Sequence, residues 1–174
     1  MKKAFLIVGP ESSGTRALAK IFVESGCVGS YGHSQPFDDP WPSGTEENIV
    51  WRRSVPHDGL KEPDLDKMYS YLVSKDYDVC FLVTTRNIDC MASSQVKTWG
   101  YTREESLKNI YDSYIFIFSI IGNMKGNYYM VNYESLIQDE AYILRTLSEL
   151  IGINLVIIGF SDENSKWINQ GKNV

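Results

Sequence analysis

Blocks of apolar residues alternate with helical periodicities along most of the chain. Residues 4–8 form an unbroken apolar run, Ala4 to Val8, closed by Gly9-Pro10. Such a run predicts a strand buried on both faces, as in a parallel sheet. Residues 15–25 follow with Leu18, Ile21 and Phe22 at helical spacing and Gly26 at the end. Residues 27–60 are rich in Gly, Pro, Ser and Asp. They predict a long irregular segment, with a short strand near residues 49–53; loops of that length are usually functional. Pro63 suits the first turn of a helix whose apolar face is Leu65, Met68, Tyr69, Leu72 and Val73. Residues 79–85 predict a second buried strand, and Asn87 or Asp89 can cap a helix that runs to about Trp99 and stops at Gly100.

Thr102 and Glu105 stand at the spacing of a capping box. The helix they open carries Leu107, Ile110, Tyr111, Tyr114, Phe118 and Ile121, and Ile115, Phe116 and Ile117 thicken that stripe, so it is expected to be buried on more than one side. Residues 128–132 predict a third strand. Residues 134–151 predict one amphipathic helix with Leu136, Ile143, Leu144, Leu147 and Leu150 on one face and Gly152 at its end. The tail carries no clear period. Strands alternating with helices predict an α/β domain over residues 1–174, with a mainly parallel sheet in three layers. Ligands of such sheets bind at the carboxyl ends of the strands, which singles out the residues after Val8, Thr85 and Val131.

Composition narrows the function classes. The chain has 174 residues, of which 43% are hydrophobic and 22% charged, an ordinary globular balance. Lys and Arg number 17 against 22 Asp and Glu, a net charge of −5. That argues against nucleic acid as main partner, while a local basic pocket for a small anion stays open. The longest apolar stretches are about six residues against the roughly 20 needed to cross a bilayer, so no membrane span is expected. Met1-Lys2-Lys3 before an apolar run faintly resembles a leader, but Gly9-Pro10 closes the run too early. Cys27, Cys80 and Cys90 lack a CxxC spacing and are expected as buried thiols of a cytoplasmic protein, not as a disulfide framework or zinc site.

The chemistry concentrates in Gly9-Pro10-Glu11-Ser12-Ser13-Gly14-Thr15-Arg16, placed between a strand and a helix. This is the GxxxxG spacing of a P-loop. Glycines let the backbone wrap an anion, inward N–H groups hold it, and the helix N-terminus adds positive potential. A nucleotide-hydrolysing loop continues Gly-Lys-Ser/Thr, whereas here Gly14 precedes Thr15-Arg16. The second strand ends in Thr84-Thr85-Arg86, where a hydrolase carries a Mg²⁺-holding Asp. Arginine at that sheet edge fits an anion held without obligatory metal.

These residues resemble the sulfotransferases that use 3′-phosphoadenosine 5′-phosphosulfate (PAPS). The GPESSGTRAL loop is similar to their 5′-phosphosulfate loop, closest to the Gly-Thr-Arg-Ala-Leu form of heparan-type members. Val83-Thr84-Thr85-Arg86-Asn87 with Ser94 eight positions after Arg86 resembles their 3′-phosphate motif. Val131-Asn132-Tyr133-Glu134-Ser135-Leu136 resembles a recurring element before the helix that ends in Leu-Ile-Gly. The resemblance implies a P-loop NTPase-like fold, PAPS as donor and its bisphosphate product PAP. It also implies binding by Gly9, Ser12, Ser13, Gly14, Thr15, Arg16, Arg86 and Ser94, with the backbone amides of residues 12–15 on the phosphosulfate. Family loops commonly hold a lysine where this chain has Ser12, and Arg16 is the nearest replacement cation. The tryptophan that many cytosolic members place just after the loop is Ala17 here. A basic, glycine-containing C-terminal segment often closes over the 3′-phosphate in the family, for which Lys166 and Lys172 are the candidates.

Sulfuryl transfer to a hydroxyl or amine needs a base within hydrogen-bond reach of the acceptor. The histidines are His33 and His57. His33 falls near the place of the catalytic glutamate of heparan-type members, a few residues before Phe37-Asp38, and is the expected base. His57, Asp38 and Asp39 are the alternatives. Tyr31, Phe37, Trp41 and Trp51 could wall a pocket for a small-molecule or glycan acceptor, or form a small core under the loop. Arg52-Arg53 is expected as exposed charge, with a role facing an anionic acceptor as the alternative. The rival readings are a small P-loop nucleotide kinase and a non-catalytic nucleotide-binding module.

Overall fold

The protein is described from a computed structural model that covers residues 1–31, 45–56 and 62–168. In chain order the elements are β1 (Lys2–Pro10), α1 (Thr15–Glu24), β2 (Val28–Gly29), β3 (Asn48–Val55), α2 (Leu65–Ser74) and β4 (Tyr77–Thr85). They continue with α3 (Ile88–Trp99), α4 (Arg103–Ile121), β5 (Asn127–Asn132), α5 (Tyr133–Gln138), α6 (Glu140–Ile151) and α7 (Ser165–Ile168). The five strands form one sheet in the order β2-β3-β1-β4-β5, and every pairing is parallel.

Both faces of the sheet are covered, which explains the unbroken apolar runs of β1 and β4. On one face Phe5, Ile7, Leu82 and Val131 pack with Leu18 and Phe22 of α1 and with Leu144 and Leu147 of α6. On the other Leu6, Val8, Phe81 and Val83 pack with Leu65, Met68 and Leu72 of α2 and with Ile117 and Ile121 of α4. α3 reaches this layer through Met91 and Ala92 against Ile110. The result is a three-layer P-loop-like α/β fold with β1 at its centre. Among the described residues no helix is long and apolar enough to cross a membrane.

Several sequence expectations are corrected. The strand foreseen near residues 49–53 is longer than expected: it is the eight-residue β3, an inner strand between β2 and β1. α2 begins at Leu65, capped by Asp64, whose side chain accepts from the Lys67 N–H; Pro63 lies before the cap and not in the first turn. Residues 134–151 are two helices. Asp139 leaves the helical region (φ −145°, ψ 69°) because its carboxylate caps α6 by accepting from the Tyr142 N–H at 3.1 Å. α4 is buried on a single face. Ser106, Ile110, Ser113, Ile117 and Ile121 are buried, while Tyr111, Ile115 and Phe118 are exposed. Val73 and Leu150 are exposed as well, at the edges of their helical stripes. Of the two caps proposed for α3, Asn87 serves, accepting from the N–H groups of Asp89 and Cys90. The three cysteines are buried free thiols, and burial pushes Cys27 to about 11 and Cys80 to about 12.

Candidate functional site

The carboxyl ends of β1, β3 and β4 converge on the loop between β1 and α1. Gly9 must lack a side chain: a Cβ there would stand 2.2 Å from Thr84 Oγ1 and 2.4 Å from Ser13 Oγ. These two hydroxyls lie 2.6 Å apart in a buried hydrogen bond that fastens the loop to β4. Gly14, at the N-cap of α1, has φ 98°, and a Cβ on it would meet the Tyr133 ring at 2.8 Å. No side chain caps α1. Its first N–H groups therefore face the loop cavity, the arrangement in which a helix N-terminus takes an anion. The Ser13 N–H is an exception to the expected cradle: it donates to the Pro10 carbonyl at 3.1 Å and closes the loop's own turn.

Ser12 is held in the left-handed region (φ 69°), which costs a non-glycine residue free energy. Two contacts with the neighbouring elements fix it there. Its hydroxyl donates to Ser94 Oγ of α3 at 3.0 Å, and its carbonyl accepts from Arg86 Nη1 at 3.0 Å. The strand-end arginine and the serine eight residues on are thus brought together through Ser12.

Arg86 is built into place from three sides. Its guanidinium lies over the Tyr133 ring with Cζ 4.5 Å from the centroid. Nε donates to Asn164 Oδ1 at 2.6 Å, and Nη1 donates to Ser12. Nη2 is buried and has no hydrogen-bond partner among the described residues. A buried donor left unmade is costly, and an acceptor brought to Nη2 would relieve that cost.

Around these groups opens a cavity of about 710 Å³. Ser12, Gly14, Thr15 and Arg16 line it from the loop, Ala17 and Lys20 from α1, and Arg52 and Ser54 from the end of β3. Arg86, Ser94 and Tyr133 line its inner wall, and Phe160, Glu163, Lys166 and Trp167 close it from the C-terminal segment. Five of these side chains are cationic and Glu163 is the acidic one, giving a basic basin on a net-acidic protein. Lys166 reaches the cavity as expected, but its ammonium is paired with Glu163. Arg52 and Arg53 are not exposed charge. They are 6% and 1% accessible. Arg52 points into the cavity, where burial first and Arg16 second pull its guanidinium below the ordinary value. Arg53 takes the other side of the strand, stacked on Trp51 at 4.0 Å.

Of the aromatics proposed as an acceptor wall, Tyr31 lines the cavity, whereas Trp51 packs with the apolar layer on the α2 and α4 side. His33, His57, Asp38, Asp39, Phe37, Trp41 and Lys172 lie outside the described residues. Phe160, Trp167 and Asn164 are site residues that sequence reasoning missed. They sit on an aperiodic tail, and only the chain's return across α3 and α5 reveals them. Among the described residues no cluster of three or more His, Cys, Asp or Glu side chains could hold a metal. No protein-family model and no curated protein matches the chain.

Proposed function

We propose that the protein is a sulfotransferase that binds PAPS in the basic cavity and passes its sulfuryl group to an acceptor hydroxyl or amine. The observation that carries this reading is Arg86, oriented on three sides, with Nη2 buried and lacking an acceptor among the described residues. A guanidinium held this way is suited to a phosphate oxygen. The loop and the uncapped α1 N-terminus supply a second anion position, so the cavity has room and charge for two separated phosphates. Phe160 and Trp167 offer the aromatic surface for an adenine ring that Ala17 cannot. At the other end, Thr84 is committed to Ser13 and the Val8 carbonyl, and a Mg²⁺-holding acid is missing from that place. This weighs against the kinase reading.

In the proposed reaction the acceptor oxygen or nitrogen attacks sulfur as the bond from sulfur to the bridging phosphate oxygen breaks. That oxygen keeps the electron pair, stabilised by Arg16 and the loop amides, and the acceptor proton passes to His33. Ser12 contributes by holding the loop against Ser94 and Arg86, not by charge. That same observation supports the second reading, a nucleotide-binding module without turnover. Calorimetry tests the site. The protein should bind adenosine 3′,5′-bisphosphate more tightly than AMP, and Arg86→Ala should remove about 2 kcal/mol of bisphosphate affinity with a far smaller loss for AMP, which feels Arg86 only through its hold on the Ser12 carbonyl. Equal losses for both ligands would take the 3′-phosphate away from Arg86. Sulfate transfer from PAPS in an acceptor screen then separates the enzyme from the module.

A further inference from the structure

Asn164 lies in the segment before α7, far from the loop in sequence, yet it is 4% accessible. Both ends of its amide are bonded. Oδ1 accepts from Arg86 Nε at 2.6 Å, and Nδ2 donates to Glu134 Oε1 at 2.7 Å. Its backbone is also anchored, the N–H to Asp162 Oδ1 at 2.8 Å and the carbonyl to the Trp167 N–H at 2.8 Å. Glu134 is occupied too. It accepts from the Asn87 N–H at 2.9 Å and from Asn132 Nδ2 at 3.0 Å. Burial pushes its carboxyl up, but these hydrogen bonds outweigh burial and hold it below the ordinary value. A carboxylate of full charge therefore stands one amide away from Arg86, and among the described residues no carboxylate pairs with Arg86 directly.

The geometry points to Asn164 as a positioning residue that aims Arg86 at the 3′-phosphate while keeping its charge unspent; this rests on the reading of the cavity as a PAPS site. An arginine only donates and a carboxylate only accepts. A neutral amide can hold one on its oxygen and the other on its nitrogen. Were Glu134 or an aspartate to touch Arg86, the ion pair would orient the guanidinium equally well but would compete with the incoming phosphate. The amide keeps the orientation and leaves the charge to the ligand. It also makes the C-terminal segment part of the anion site, since Asn164 is the buried polar side chain of that segment. Lys166 differs: it is a half-exposed cation paired with Glu163 and makes no contact that orients Arg86.

The test compares adenosine 3′,5′-bisphosphate with AMP by calorimetry on the full chain, in wild type, Asn164→Asp and the double variant Asn164→Asp/Glu134→Gln. Asn164→Asp should lower bisphosphate affinity by about tenfold or more, the size of a charge-assisted contact, with AMP within about threefold. The single variant also sets two carboxylates face to face and can lose stability on that account. Glu134→Gln relieves this by removing one of the two facing charges. In the double variant the melting temperature should rise above that of the single variant and AMP binding should stay near wild type while bisphosphate affinity stays low, because Arg86 is still neutralised. Bisphosphate affinity recovering together with stability would overturn the assignment and leave Asn164 a merely structural residue. So would an Asn164→Asp variant that binds bisphosphate like wild type. A wild-type protein that fails to prefer bisphosphate over AMP would sink the functional reading itself, and this inference with it.

Discussion

Glu11 shows how one residue of the loop couples site and stability. It stands second before Ser13 in the loop between β1 and α1, and burial raises its carboxyl from 4.5 to about 7. The fold therefore binds this proton more tightly than the unfolded chain does. Below about pH 4.5 both states are protonated and the contribution to stability is fully present. It declines as pH rises through the folded value near 7 and is absent above it. Glu11→Gln should flatten that slope. At pH 8 the variant should be more stable than wild type by on the order of 1–2 kcal/mol, after discounting for the group's partial exposure. Urea unfolding at pH 5 and pH 8 measures it, and an unchanged slope would place the titration elsewhere. The neighbouring glycines were legible as a turn signal. That Gly9 clears the Ser13–Thr84 bond and Gly14 clears Tyr133 was not, because Thr84 and Tyr133 come from elements distant in sequence.

At the scale of elements, local signals were read well where they are self-contained. The capping box at α4 is the clearest case. Thr102 Oγ1 accepts from the Glu105 N–H at 3.2 Å, and the Glu105 carboxylate accepts from the Thr102 N–H at 2.7 Å. Both partners lie within four residues, so no tertiary contact is needed to form it. Thr102→Ala should cost about 1 kcal/mol of folding stability with bisphosphate affinity unchanged, measured by denaturant unfolding and calorimetry. A loss of affinity would show that the start of α4 reports to the cavity, whose lining is drawn from other elements. The break at Asp139 had the same kind of signal, an aspartate that caps the helix after it, but an apolar stripe continuing through both helices masked it. Burial of α4 was overestimated for another reason. Periodicity ranks the faces of a helix, while the number of neighbours decides how many of them are covered. β5 is an edge strand, so the outer side of α4 meets little there: Phe118 reaches Tyr128, and Tyr111 and Ile115 stay exposed.

For the molecule as a whole, the site is a meeting of sheet edge, helix terminus and returning tail. A ligand seated there must be felt by all three. Adenosine 3′,5′-bisphosphate at about a hundred times its Kd should stabilise the fold by about 2.7 kcal/mol. Hydrogen exchange should slow at residues 12–16 and 160–168 and stay unchanged over residues 106–121. Uniform slowing, or none in the tail, would separate the C-terminal segment from the ligand. The α/β class, the parallel sheet and the glycine-bounded turn between β1 and α1 were determined by the sequence alone, because β-strand burial, helical periodicity and a GxxxxG turn are properties of contiguous residues. The loop's link to Arg86 and Ser94 was anticipated only as a resemblance of motifs. Tertiary structure decided the rest. It made Arg52 and Arg53 buried rather than exposed, since β3 runs inside the sheet. It committed the Ser12 hydroxyl to Ser94. It carried Asn164 across the fold to Arg86, a contact between positions 78 residues apart that no local pattern encodes.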